Sequence, residues 1–142
     1  DIGKIGVRDS VLLKESALTN DEFEQIKKHA VYGEEIIASI AQLRTAIPGV
    51  KQHHEKYDGR GYPDGLKGEE IDITARIIAV ADSFDAMTTN RPYRQGLSLE
   101  AAFDELKKYS GTQFDPGIVE AFFASDVMEA FFAANSRKKI VL

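Results

Sequence analysis

The sequence predicts an all-α domain, a compact bundle of about seven short helices. Apolar residues recur at helical spacing in most segments, while period-two alternation and hairpin turns are missing. Helix-start signals recur as well: Thr19 with Glu22 three residues on, Ser98, and Asp115 before Pro116. The run ARIIAVADSFDAMTT is apolar on most sides, which predicts a central buried helix over Thr74–Thr89.

In chain order, Asp1 to Gly6 reads as a helix end running into a glycine turn. Val11, Leu12 and Leu13 form a short apolar cluster expected under a loop. Thr19 begins a helix with capping-box spacing, and Asp21 and Glu22 suit its positive end; His29 falls near its close. Val31 to Ile40 is expected to be a second amphipathic helix, with Ile36, Ile37 and Ile40 near one face. Pro48 and Gly49 interrupt the chain, and a short helix from about Val50 carries His53 and His54. A glycine loop follows to Gly68, with Ile71 and Ile73 as anchors. After the Thr74–Thr89 helix, Ser98 caps the next, through Phe103 and Leu106. A turn at Gly111 leads to Asp115-Pro116, a cap with proline at the first helical position. The last helices contain Phe122, Phe123, Phe131 and Phe132. The domain is expected over residues 1–135, and residues 136–142 form a basic tail.

Size and composition narrow the function classes. A chain of 142 residues suits one domain with a hydrophobic core. No run approaches the roughly 18 apolar residues of a membrane span, so no membrane contact is expected from this segment. The chain has no cysteine, which removes disulfides, thiolate zinc sites and thiol nucleophiles, and fits a reducing cytoplasm. The net charge of −5 and the scattered cations argue against duplex nucleic acid. A small anionic ligand needs only a few local cations. The opening at Asp1, without a lead-in, reads as part of a longer protein.

The stretch HHEKYDGRGYPDGLKG, residues 53–68, joins two metal-ligating side chains to a glycine-rich loop. On a regular helix adjacent side chains point about 100° apart, so His53 and His54 suit two neighbouring ions better than one; alternatively, one of the two is ordinary. His29 is either a ligand or a packed helical histidine. Asp82 lies within the helix expected to be buried, where an unpaired carboxylate is costly. It needs a metal, a set of donors, or an ion pair with Arg76 or Arg91. Asp85 shares its face one turn on. Imidazole and carboxylate without thiolate suit Fe, Mn, Zn, Co or Ni, and two-metal hydrolysis in particular. Lys4, Arg60, Arg91 and Arg94 flank these elements. RPYR after the Asp82 helix is either a complement to the helix end or a clamp for phosphate or a guanine edge.

These motifs together resemble the HD-GYP domains of the HD metal-dependent phosphohydrolases. The resemblance rests on DIGK, His29, His53-His54, DGRGYPDGLKG, the helix around Asp82, RPYR and GTQFDP, in the expected order over residues 1–124. It implies an all-helical fold and hydrolysis of cyclic di-GMP to pGpG, GMP or both. It also implies two or three divalent ions, iron or manganese first, with zinc, nickel and cobalt compatible. By resemblance Asp1, His29, His53, His54 and Asp82 are metal ligands, with Asp1 bridging two ions. Lys4 matches the lysine that meets the scissile phosphate. Tyr62, Asp85, Arg91 and Arg94 match substrate-contacting positions. The histidine of the HD pair, and a Glu and a His supplied by three-metal members, would precede Asp1. The chain as it stands is therefore expected to be a weak metal binder and poorly active, and an upstream regulatory domain is expected. Two other roles compete with hydrolysis of cyclic di-GMP. One is a silent signalling module whose GYP loop contacts diguanylate cyclase domains. The other is a generic HD hydrolase of mononucleotides; for the HD-GYP reading itself, a related cyclic dinucleotide such as cyclic GMP-AMP is an alternative substrate.

Overall fold

Local signals near the chain start produce short helices, and glycine lets them approach one another. The computed structural model describes residues 1–90 and 95–125. Among these residues there are seven α-helices: α1 (Asp9–Leu12), α2 (Asn20–Lys27), α3 (His29–Ala38), α4 (Ile47–Gln52), α5 (Ile73–Thr88), α6 (Leu99–Lys108) and α7 (Pro116–Ala124). Short 3-10 turns cover Ile2–Gly6, Ala41–Ala46 and Gly68–Glu70. The architecture is the expected all-α bundle; the described residues form no strand beyond an isolated bridge between Ser110 and Phe114.

Three expected caps are present as hydrogen bonds. The Thr19 hydroxyl accepts from the Glu22 amide and the Glu22 carboxylate accepts from the Thr19 amide. The Ser98 hydroxyl accepts from the Ala101 amide. Asp115 accepts from the amides of Gly117 and Ile118, and Pro116 opens α7 without needing a donor. Asp115 also takes Arg76 Nη1 at 2.5 Å. Arg76 is thereby committed to α7 and not to Asp82.

The Ile2–Gly6 turn and α4 pack against α3, and α4 packs in turn against α5. Gly3 makes the first contact feasible. A Cβ there would lie 1.9 Å from the His29 carbonyl oxygen and 2.4 Å from the Gly33 amide nitrogen. One apolar cluster lies where α5 meets α6 and α7, around Val80, Phe84, Ala102, Leu106, Phe114 and Val119, and further buried apolar residues, Ala30 and Ile37 among them, line α3. Phe103 stacks on Phe84 with ring centroids 5.6 Å apart.

Several expectations change. α3 opens at His29, not Val31, because Lys28 keeps helical backbone angles as it closes α2 and leads directly into α3. α4 begins at Ile47 and stops at Gln52, with His53 as its C-cap. Pro48 is tolerated in its first turn, where no amide is required, so it starts the helix and does not interrupt it. Leu13 is 75% exposed and only Val11 of its trio is buried. Ile71 is a buried anchor, but Ile73 is 47% exposed. α5 is not wholly buried: among the described residues Ala75, Val80 and Phe84 are covered, while Ile77, Ile78 and Asp82 are exposed. Its neighbours are α4, α6 and α7. Phe131, Phe132, the 135/136 boundary, Arg91 and Arg94 lie outside the described residues.

Candidate metal centre

Four side chains from three segments converge beside α3. Asp1 leads into the Ile2–Gly6 turn, His29 opens α3, and His53 and His54 follow α4. One ligand atom from each lies within 4.8 Å of the others. The Gly3 contact brings Asp1 alongside His29, so backbone proximity assembles the first pair.

Backbone carbonyls set the imidazoles. Nδ1 of His29 lies 2.6 Å from the Ile26 carbonyl oxygen, and Nδ1 of His53 lies 2.8 Å from that of Val50. A carbonyl only accepts, so each Nδ1 carries the proton and each Nε2 keeps its lone pair. Those Nε2 atoms lie 3.5 Å and 3.9 Å from Asp1 Oδ1. Nε2 of His29 is buried without a hydrogen-bond partner, and the residue is 1% exposed. An unsatisfied buried acceptor is costly. A divalent cation would satisfy it, and the donor set of three imidazoles and a carboxylate suits such an ion.

The histidines pack closely. The rings of His53 and His54 have centroids 4.0 Å apart, and His29 lies 5.0 Å from His54. Burial pulls all three below the ordinary histidine range. For His54, with the charges of His53 and His29 acting the same way, the value falls to about 3. The imidazoles are therefore neutral, and ligand-competent, at neutral pH.

The other expected site residues take varied places. Lys4 Nζ bonds Asp1 Oδ2 at 2.7 Å, so it sits at the edge of the cluster. Tyr62 stacks on His54 at 4.9 Å, and its hydroxyl pKa is pushed up to about 12 by burial and by the charge of Asp82. Asp82 is exposed and does not join the four-residue group. Its negative charge nevertheless acts on His29 and His53. Asp85 is exposed, with Oδ1 accepting from the Thr89 hydroxyl. Arg60 pairs with Asp58 at 2.7 Å.

Two features escaped the sequence reading. The carbonyls of Ile26 and Val50 leave no side-chain signal. Glu55 leaves only its residue type, an acid at the head of the glycine-rich loop, and nothing in the sequence marks the amides it bonds. It is 3% exposed and accepts from the amides of Asp64, Gly65 and Leu66.

A family model described as "HD domain" matches residues 1–118. The chain belongs to the HD domain family. Within it, the chain is of the HD-GYP type that the motif series suggests. A "Cyclic di-GMP phosphodiesterase" of Thermotoga maritima is 49% identical over 86% of this chain and 34% of its own length. The "Cyclic di-GMP phosphodiesterase response regulator RpfG" of Xanthomonas campestris is 47% identical over 85% of this chain and 32% of its own. A solved cyclic GMP-AMP-specific phosphodiesterase of Vibrio cholerae is similar in fold. Its TM-score is 0.59 at 28% identity, covering 72% of this chain and 24% of that one. The chain thus spans about a third of the length of these two curated relatives.

Proposed function

We propose that this HD domain is the catalytic part of a metal-dependent phosphodiesterase that opens cyclic di-GMP to pGpG. The observation that carries the reading is the convergence of Asp1, His29, His53 and His54, with one ligand atom from each within 4.8 Å of the rest. Two relatives at 49% and 47% identity bear the name of that activity, which supports the substrate class.

Asp1, His29, His53 and His54 would hold the ions, iron or manganese by preference, and Asp82 would add a fifth ligand from the facing α5. Bound ions of this kind supply a water of lowered pKa and neutralise charge on a phosphoryl group. The chain's residues do the rest. The Ile26 and Val50 carbonyls hold the two imidazoles in the tautomer that presents Nε2. Lys4 brings a positive charge beside Asp1, where negative charge develops on the phosphate and on the departing oxygen, and it is the proton donor in reach. Tyr62 offers a flat wall above His54 against which a base or ribose rests. Asp85, Arg91 and Arg94 bind the remainder of the dinucleotide.

The test uses the full-length protein loaded with manganese or iron, with cyclic di-GMP and 3′3′-cyclic GMP-AMP as competing substrates. Release of pGpG is expected, and Asp82→Ala should lower turnover by at least about 100-fold. Full turnover in that variant refutes the Asp82 assignment. No turnover by the metal-loaded wild type refutes the catalytic reading in favour of a docking module.

A further inference from the structure

Glu55 is a buried carboxylate that the proposed reaction does not use. No lysine or arginine nitrogen among the described residues lies within 4.0 Å of it. Its negative charge is met by backbone alone: Oε1 accepts from the amides of Asp64 at 2.7 Å and Gly65 at 3.1 Å, and Oε2 from Leu66 at 3.1 Å. Three successive amides turned toward one anion form a nest. The run begins directly after Pro63, which has no amide to give.

A second attachment lies on the other side of Tyr62. The Tyr62 amide donates to the His54 carbonyl at 3.3 Å. Gly61 presses on the backbone of residues 55 and 56, and a Cβ there would lie 2.2 Å from the Lys56 nitrogen and 2.4 Å from Glu55 Cα. Tyr62 is therefore held between two fixed points, Gly61 before it and the Asp64–Leu66 nest after it. Its ring stacks on His54 with an interplanar angle of 28°, and Phe23 and Lys27 of α2 also approach it, at 6.4 Å and 5.6 Å from its centroid.

We infer that Glu55 is a positioning residue for substrate binding, because its nest with residues 64–66 sets the Tyr62 ring over His54. The inference rests on the reading of Tyr62 as a substrate wall. It assigns Glu55 an effect on ligand affinity without contact to ligand or metal. The ion pair between half-buried Lys51, which also holds Glu34 at 3.2 Å, and exposed Asp64 at 3.1 Å reaches the same loop from α4, and it engages only the Asp64 side chain.

The experiment is a double-mutant cycle in the full-length protein with Glu55→Gln, Tyr62→Ala and both, and Lys51→Met as control. Glutamine keeps the shape but turns an amide donor toward at least one loop amide. Glu55→Gln is expected to raise the KM for cyclic di-GMP about 10- to 100-fold, with kcat and metal content little changed. The double variant is expected to match Tyr62→Ala alone, and Lys51→Met to match wild type. Additive losses, or an unchanged KM in Glu55→Gln, overturn the inference. Amide hydrogen exchange in the wild type probes the clip independently of any variant's folding and of turnover. The amides of residues 64, 65 and 66 should exchange at least about 100-fold slower than free peptide. Fast exchange there overturns the clip; slow exchange in a wild type without turnover leaves the clip standing and refutes the catalytic reading.

Discussion

Around Leu106 the buried side chains are apolar, and Phe84 is flanked by Phe103 and by Phe122 at 5.1 Å. Around His29 the buried His53 and the half-buried His54 pack ring to ring, and one ring nitrogen of His29 has no hydrogen-bond partner. The first region gains free energy by excluding water from apolar surface. The second spends part of that gain on holding neutral imidazoles and an acid close together. Apolar packing thus dominates where α5 meets α6 and α7, and groups poised for a ligand gather where α3 meets the end of α4.

The greatest loss should come from emptying the apolar side. Leu106→Ala should destabilise the domain by about 2–5 kcal/mol, the range for vacating a packed core site. Metal affinity of the remaining folded protein should change little. Urea unfolding and equilibrium dialysis measure the two quantities separately; a joint loss would mean the regions are not distinct.

Gly3→Ala probes the contrast from the other side. Its Cβ would strike the His29 carbonyl and the Gly33 amide, both backbone. The chain start must then move, at a cost of about 1–3 kcal/mol, and Asp1 moves with it. Metal affinity should fall with stability here, as it should not for Leu106→Ala.

Mild acid acts on the poised side through its histidines. His53 and His54 have folded-state pKa values below the ordinary histidine value of 6.5, that of His54 about 3. Below 6.5 the unfolded chain therefore takes up protons that the folded chain refuses. Metal-free stability is fully present above that pH and is lost as pH falls from there toward about 3 for His54. Each group contributes a slope of at most about 1.4 kcal/mol per pH unit. Urea unfolding at pH 7.5 and pH 5 checks this, and His54→Gln should flatten the dependence. A stability that rises on acidification would contradict it.

His29→Gln should have the smallest effect on metal-free stability, about 1 kcal/mol, because glutamine nearly fills the ring's space and its amide nitrogen can replace the Nδ1 bond to the Ile26 carbonyl, while the Nε2 that is lost has no hydrogen-bond partner there. Thermal unfolding in chelator measures it, and a large loss would show that the ring is a core element first.

Much of this contrast was legible in the sequence, and the exceptions share a cause. The caps at Thr19, Ser98 and Asp115 are contacts between residues two or three apart, so spacing alone reveals them. The histidines were legible as residue types, but their geometry was not. Reading Pro48-Gly49 as a break placed His53 and His54 on a helix, whereas the helix starts before Pro48 and ends at Gln52. Glu55 bonds amides nine to eleven residues away, a distance no periodicity encodes. The burial of α5 was overstated because hydrophobic composition does not say which neighbours cover each side. That same helix leaves Asp82 exposed and outside the four-residue group.

The decisive measurement is a crystal structure of the manganese-loaded protein with anomalous data at the manganese edge. The expected result is an anomalous peak bonded to Nε2 of His29 and to the Asp1 carboxylate, with His53 and His54 in the coordination shell of that ion or of a neighbour. Peaks only at surface carboxylates, with His29 Nε2 still unbonded, would contradict the proposed metal centre.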